Sequence, residues 1–106
     1  MPKYLVTGSY TAEGLKGVLK EGGSGRRQAV ESAVKAMGGR LEAYYFAFGD
    51  NDVVSIVDVP DNVTATALSM GIAATGTVRT RTTVLLTPEE VDQAAKKTLS
   101  FRAAGQ

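Results

Sequence analysis

The pattern of apolar and polar positions divides the chain into alternating strand and helix segments. Runs rich in β-branched, aromatic and aliphatic residues predict four strands, over residues 3–9, 41–48, 53–59 and 78–86. Apolar residues at helical spacing predict one helix between the first two strands, a second over residues 62–75, and a third from a cap at Thr87 to about Thr98. Residues 100–106 are expected to form a frayed tail.

The helix between the first two strands carries a cluster of glycines in its middle. Thr11 is suited to cap its start, and Leu15 and Leu19 lie on the face expected to be buried. The sequence Gly22-Gly23-Ser24-Gly25 then places flexible residues where a regular helix is costly, and a second apolar stretch follows. We therefore predict a helix that is broken or kinked at these glycines.

The order strand, helix, strand, strand, helix, strand indicates an α+β domain of the ferredoxin-like type, βαββαβ, with an extra C-terminal helix. In that fold the first and third strands are central, and the second and fourth lie at the edges. The apolar segment 53–57 suits a central strand, and the polar segment 79–83 suits an edge. A length of 106 residues is that of one domain, with its core expected over about residues 3–97.

The predicted sheet has apolar side chains on both faces, whereas the helices between its strands can cover only one. In a regular second strand the side chains divide into two sets, Leu41, Ala43, Tyr45 and Ala47 on one side and Tyr44, Phe46 and Phe48 on the other. An uncovered apolar face favours aggregation of a monomer. We therefore expect a homodimer, or a larger assembly built from dimers, that forms through the sheet face.

Composition narrows the possible classes of function. The chain has neither Cys nor His, which excludes disulfides, thiolate nucleophiles, Cys/His zinc sites and triads with an imidazole. A net charge of +1 argues against a nucleic-acid-binding protein. The first apolar run is too short for a signal peptide, and no segment is apolar enough to span a membrane. A cytoplasmic protein without a metal or cofactor is expected.

Several separate segments resemble the GYD-domain family, in the same order along nearly the whole chain. They are Tyr10-Thr11-x-Glu13-Gly14-Leu15-Lys16, Leu19-Lys20-Glu21-Gly22-Gly23-Ser24-x-Arg26-Arg27, the segment 38–49, Asp52-Val53-Val54, Gly76-x-Val78-Arg79-Thr80 and Leu86-Thr87-Pro88-Glu89-Glu90. The resemblance implies a small bacterial domain of the dimeric, ferredoxin-like α/β barrel class, without an agreed biochemical activity. One position departs from the family, because Asn51 stands where its name-giving tyrosine is expected.

The glycine break marks the first candidate binding site. Backbone N–H groups where the helix restarts, together with Ser24 and the guanidinium groups of Arg26 and Arg27, suit a phosphate or a carboxylate. The sequence lacks the phosphate-loop pattern. The alternative interpretation is a flexible helix break with solvated arginines.

Aromatic side chains of the second strand form the next candidate site. In a regular strand Tyr44, Phe46 and Phe48 share a face with Glu42, and such a face can line a ligand cavity in a dimeric barrel. Tyr10 would add a hydroxyl group. The alternative is that the rings form the core of the dimer, since aromatic residues are enriched at subunit interfaces.

Four further residues carry weaker signals. Arg79 and Arg81 are two apart on the fourth strand and could hold a carboxylate, or protect the sheet edge. Removal of the initiator methionine would expose Pro2 as a secondary amine, the general base of tautomerases of similar size. Asp58 is a second possible base if it is buried.

These observations favour an oligomeric protein that binds a small metabolite or serves as an accessory subunit. Its ligand is expected to be anionic or aromatic and to lie between the sheet and the glycine break. One alternative is a cofactor-independent enzyme, either a tautomerase or isomerase that uses Pro2 or a dimeric-barrel oxygenase. Another is a purely structural subunit of an assembly, without a pocket.

Overall fold

A computed structural model describes all residues, 1–106, as a four-stranded sheet and three helices. The elements follow in the order β1 (Lys3–Tyr10), α1 (Ala12–Ala36), β2 (Arg40–Phe46), β3 (Val53–Asp58), α2 (Asn62–Ala73), β4 (Val78–Leu85) and α3 (Pro88–Ala95). The predicted α+β class is confirmed. The last helix is shorter than expected, because the backbone N–H groups of Lys96 and Lys97 bond to carbonyls three residues back, and α-helical hydrogen bonding ends at Ala95.

The sheet is antiparallel throughout, and its strand order is β2-β3-β1-β4. The apolar strands β1 and β3 are therefore central, and the polar strand β4 forms an edge, as the sequence predicts. Leu5 of β1, for example, lies between Ile56 of β3 and Thr83 of β4. This element order and strand order are compatible with a ferredoxin-like fold.

Helix α1 is bent at Gly22, which confirms the predicted kink. Gly22 has φ 79° and ψ 165°, a conformation that is essentially restricted to glycine. The bend separates the first half of α1 from a second half that packs against β2 and contains the buried residue Val34. Because the chain changes direction there, Leu15 and Leu19 do not reach the core. They are 41% and 80% exposed, which corrects the expected apolar face of this half.

The hydrophobic core lies between the helices and one face of the sheet. Its buried residues come from β1, α1, the end of β3 and α2, and they are Tyr4, Val34, Val57, Val59, Ala65 and Leu68. The Tyr4 hydroxyl donates a hydrogen bond of 2.5 Å to Oδ1 of Asn62, at the start of α2. A buried phenol is thereby satisfied, and the same contact attaches α2 to the central strand.

Strand β2 contains a bulge that reverses the expected alternation of its side chains. Leu41 pairs with Val57 and Ala43 pairs with Ile56, which leaves Glu42 as an extra residue between them. The bulge places Leu41 on the helix-covered face, together with Tyr44 and Phe46, which are three and five positions beyond Leu41. The expectation that Leu41 shares a face with Ala43 and Tyr45 is therefore wrong.

The other side of the sheet is covered by none of the three helices, and we call it the open face. It consists of alternate residues from all four strands, namely Lys3, Leu5, Thr7, Ser9, Ala43, Tyr45, Val54, Ile56, Asp58, Arg79, Arg81, Thr83 and Leu85. Its centre is aliphatic, at Leu5, Val54 and Ile56. The predicted uncovered apolar face thus exists, but the aromatic row of Tyr44 and Phe46 is not part of it.

Gly14 allows α1 to approach the loop before β4. A Cβ atom at Gly14 would lie 1.9 Å from the carbonyl oxygen of Thr77, whereas one at Gly17 would meet nothing within 4 Å. We expect Gly14→Ala to lower the free energy of unfolding by about 1–3 kcal/mol, since the backbone must move to relieve the overlap. Gly17→Ala is the matched control and should raise it by about 0.5–1 kcal/mol through helix propensity. Urea denaturation measures both, and equal effects of the two substitutions would contradict the packing.

Candidate functional site

A narrow cavity lies on the helix-covered face, where α1 and α2 diverge above the central strands. Its volume is about 50 Å³, and it is lined mostly by apolar side chains, with Val6, Val30, Val53, Ile72 and Val78 among them. The Ser55 hydroxyl, which also lines it, donates a hydrogen bond of 2.9 Å to the Val6 carbonyl. Because that polar group is already satisfied, this inner cavity suits a short aliphatic group.

A wider recess continues from the inner cavity toward solvent. It has a volume of about 300 Å³, and Tyr10, Arg26, Ile72 and Val78 line both spaces. This outer recess also carries polar and charged groups, because Glu13, Glu21, Thr75 and Thr77 line it. Together the two spaces form a cleft with an apolar end and a charged mouth, at the lower limit of the size of ligand pockets.

Arg26 is the cation of the cleft. Its Nη1 atom lies 3.3 Å from Oε2 of Glu21, on the other side of the kink, and its side chain is only 30% exposed. Burial opposes the charge on the guanidinium, but the ion pair with Glu21 and the nearby Tyr10 outweigh it and raise the pKa of Arg26. A guanidinium has five N–H donors, so Arg26 can hold Glu21 and still donate to a ligand.

Two tyrosine hydroxyls meet beside Arg26. Those of Tyr10 and Tyr44 are 3.5 Å apart, and the Tyr10 backbone N–H donates to Oδ2 of Asp52 at 2.8 Å. Burial, followed by the contact with Tyr10, raises the pKa of Tyr44. The Tyr44 phenol therefore stays protonated at neutral pH and can donate a hydrogen bond within the cleft.

The aromatic row of β2 supports the cleft from behind. Tyr44 and Phe46 pack edge to face with centroids 5.5 Å apart, and Phe46 stacks on Phe48 at 5.8 Å. A Cβ atom at Gly23 would lie 2.9 Å from Cε2 of Phe46, so the glycine break lets α1 cross this ring closely. Phe48 itself has a positive φ of 54°. These rings pack on the helix side, which corrects both their predicted location on an exposed face and their predicted proximity to Glu42.

The other candidates from the glycine break lie outside the cleft. Ser24 and Arg27 line a shallow surface depression with Gly23, Tyr44 and Phe46. Arg26 and Arg27 therefore do not form a joint anion site, since only Arg26 turns toward Tyr10.

Arg79 and Arg81 lie on the open face, on the opposite side of the sheet from the cleft. With Thr7, Ser9, Asp50 and Asn51 they line a polar recess of about 540 Å³. Neither arginine takes part in an ion pair. Asn51 is thus next to two arginines that take part in no ion pair.

Asp58 is buried, but its carboxylate is neutralised by two cations. Oδ1 accepts from Nζ of Lys3 at 2.8 Å, and Oδ2 accepts from Nη2 of Arg40 at 2.9 Å. Lys3 also holds Glu42, at 2.7 Å. The hydrogen bond with Lys3, reinforced by Arg40, lowers the pKa of Asp58 despite its burial. A carboxylate with a lowered pKa is a poor general base at neutral pH.

Pro2 immediately precedes the first residue of β1 and lies away from the cleft. Its carbonyl accepts a hydrogen bond of 3.2 Å from the backbone N–H of Val59, and it lines none of the recesses described above. Arg40 is the arginine at this end of the sheet, and its Nη2 atom is held by Asp58, the strand partner of Lys3. The role of Pro2 as a base stays a prediction.

Sequence reasoning identified Tyr10, Arg26 and Tyr44 but missed the rest of the cleft. The missed residues are the aliphatic lining and the carboxylates of Glu13 and Glu21. The glycine break itself points to Glu21, because a bend at Gly22 brings the residue just before it close to Arg26 after it. No group of three or more potential metal ligands comes together, and no helix has the length and apolarity needed to cross a membrane.

Fold and cleft define a small α+β domain with a ligand-sized space between its helices and its sheet. Comparison with known protein families matches residues 4–95 to the GYD domain. The chain therefore belongs to the GYD domain family, and the resemblance found in the sequence is confirmed. No curated protein and no solved structure shows significant similarity to it.

The lowered pKa of Asp58 predicts how stability depends on pH. The pKa of an aspartate in the unfolded chain is about 3.9. The folded carboxylate therefore contributes its full stabilisation above that pH, and the contribution is lost as the pH falls through the lower pKa of the folded state. We expect Asp58→Asn to destabilise the protein by about 1–2 kcal/mol at pH 7, because its cationic partners are partly solvated. The difference from the wild type should shrink below pH 4.

Urea titrations between pH 3 and pH 7 measure this effect. Asp50→Asn is the control, because Asp50 is exposed and makes no ion pair. A destabilisation by Asp58→Asn that is independent of pH would show that the carboxylate's charge is not responsible.

Proposed function

We propose that this GYD-domain protein binds a small metabolite in the cleft between α1, α2 and the sheet. The observation that carries the proposal is the continuity of the apolar inner cavity with the charged outer recess, joined at Tyr10 and Arg26. Such a space, with an aliphatic end and a few convergent polar groups, is the usual form of a small-molecule site. The expected cytoplasmic location stays a prediction within this proposal.

The charges at the mouth narrow the chemistry of the ligand. Two carboxylates, Glu13 and Glu21, face the same recess as the single guanidinium of Arg26. A simple anion would satisfy Arg26 but would be repelled by the carboxylates. A zwitterion satisfies both signs, because its carboxylate accepts from Arg26 while its ammonium group lies among the acidic side chains. The ligand class supported best is a small aliphatic amino acid, with its side chain in the inner cavity.

Three probes that share the same isopropyl group test this class. L-Valine carries both charged groups, 3-methylbutanoate lacks the amine, and 2-methylpropylamine lacks the carboxylate. We expect thermal stabilisation by L-valine, about 2.7 kcal/mol at 100 times its Kd, and much weaker effects of the other two at equal concentration. Equal stabilisation by 3-methylbutanoate would show that the carboxylates do not take part. A lack of response to all three would refute the amino-acid class.

Substitutions then assign the response to the cleft. Arg26→Gln should abolish the effect of L-valine, and Glu13→Gln should reduce the preference for L-valine over 3-methylbutanoate. Arg27→Gln is the matched control, since Arg27 is the next residue but lines neither the inner cavity nor the outer recess. Ile72 lines both the inner cavity and the outer recess, so Ile72→Phe should fill the place where they join and block binding without removing a charge.

We further propose that the protein is a homodimer that forms through the open face. The centre of that face, at Leu5, Val54 and Ile56, is aliphatic and lies under no helix. Its ends are charged and of mixed sign, with the Lys3–Asp58 ion pair at one end and the free Arg79 at the other. A second copy of the same face offers both an apolar centre and charges of either sign.

Sedimentation velocity tests the dimer, with twice the chain mass of 11.1 kDa as the expected result. Tyr45 is 70% exposed on the open face, so Tyr45→Lys should weaken association without disturbing the fold. Leu19→Lys is the control, because Leu19 is 80% exposed but lies on α1. A wild-type protein that sediments as a monomer at high micromolar concentration would contradict the proposal.

A further inference from the structure

The C-terminal segment extends away from the rest of the molecule. We call residues 86–101 the C-terminal arm; it contains α3, and all of its residues are exposed. The radius of gyration of the chain is 17.0 Å. A compact domain of this length has about 13 Å. The longest dimension, 56 Å against 33 Å and 22 Å for the others, agrees with an arm that projects outward.

The arm nevertheless has a well-defined helix. The side chain of Thr87 accepts from the Glu90 backbone N–H at 3.1 Å, and Oε1 of Glu90 accepts from the Thr87 backbone N–H at 2.9 Å. An eight-residue helix is not stable alone in water, even with good caps, and most helices owe their stability to packing. A contact beyond this single copy would supply that packing.

The composition of the arm indicates the kind of surface it contacts. Its large apolar side chains are Leu86, Val91, Leu99 and Phe101, which are 63%, 52%, 81% and 78% exposed. Glu89 and Asp92 add two carboxylates without ion-pair partners, whereas Glu90 is used in the cap. The complementary surface is therefore apolar and carries free cations.

The open face has both properties. Leu5, Val54 and Ile56 form its apolar centre, and Arg79 and Arg81 are cations without ion-pair partners. Within one chain, the arm begins after Leu85 at the C-terminal end of β4, whereas Arg79 lies near the other end, about 20 Å along the strand. The arm projects outward from there, away from the chain's own arginines. The arginines of a second copy are therefore better placed to receive it.

The size of the interface also favours the arm of a second copy as the segment that covers the open face. Four strands about 4.8 Å apart and about 25 Å long have a projected area of roughly 500 Å², so a contact made by the sheets alone is at the small end of stable interfaces. A reciprocal pair of arms would enlarge it. The arm is thus expected to strengthen a dimer that the open faces hold.

We propose that the C-terminal arm of each copy packs on the open face of a second copy, with Glu89 and Asp92 facing the partner's Arg79 and the partner's Arg81. The proposal rests on the dimer inferred above and specifies what completes it. The arm then acts as a reciprocal clasp, and α3 becomes part of the interface instead of a free helix.

Engineered cysteines test the clasp directly, because the chain contains none of its own. One full-length variant carries Asp92→Cys, and a second, made larger by a tag, carries Arg81→Cys. Both positions are exposed, so both variants should fold. After mixing and treatment with a short bis-maleimide, we expect a cross-linked product containing one chain of each size. Lys20→Cys, exposed on α1, replaces Arg81→Cys in the control and should give at least tenfold less product.

Each of the other outcomes would overturn the clasp alone or the clasp together with the dimer. A chain with both cysteines that links only to itself would show that the arm folds back on its own sheet, which overturns the clasp. A wild-type dimer by sedimentation without the mixed product would overturn the clasp and leave the sheet dimer in place. A monomeric wild type would overturn both.

Charge reversal gives a second, independent test. Asp92→Arg and Arg81→Glu should each raise the dimer dissociation constant by about fivefold to tenfold, since each places like charges together. The double variant should recover most of the loss, because the opposite charges meet again. Additive losses in the double variant would contradict the pairing of α3 with the partner's Arg81.

Discussion

The extra residue in β2 is the constraint on which both surfaces of the sheet depend. Without Glu42 as a bulge, regular alternation would leave Tyr44 and Phe46 on the side opposite Leu41, and the cleft would lose its phenol and the ring behind it. The bulge turns the aromatic side chains toward α1 and leaves Ala43 and Tyr45 on the open face. One inserted residue thus separates an aromatic, ligand-sized space from the aliphatic open face.

The kink at Gly22 complements the bulge. Its positive φ brings Glu21 and Arg26 together across the bend, and Gly23 leaves room for the Phe46 ring that lies against it. Because α1 changes direction, its second half packs on β2 while α2 packs on β4. The sheet between the two helices is therefore incompletely covered. The inner cavity is the consequence of this gap, because the helices leave part of the sheet without close packing.

The sequence predicts most of the fold because its signals are local. Apolar runs, the glycine break and the Thr87 cap predict the elements. Their order predicts the strand order, and the contrast between the apolar β3 and the polar β4 agrees with it. The predicted assignment of β2 side chains to the two faces is wrong, because a bulge has no reliable local signal when a polar residue such as Glu42 lies between two apolar ones. Tyr10, Arg26 and Tyr44 were found as single candidates, but the carboxylates beside them become part of the site only through the bend.

Strand β1 links the cleft to the open face. Tyr4, Val6, Gly8 and Tyr10 project toward the core and the cleft, while Lys3, Leu5, Thr7 and Ser9 project toward the open face. Any shift of β1 along its neighbours would therefore disturb both surfaces, because the residues alternate on one backbone. The ion pairs of Lys3 and Arg40 with Asp58 fix the register of β1 and β2 against β3 at one end, and Asp52 holds the Tyr10 backbone at the other. The polar contacts at both strand ends thus keep the cleft and the open face in a fixed relation, which gives the buried Asp58 a structural role in a sheet whose centre is otherwise apolar.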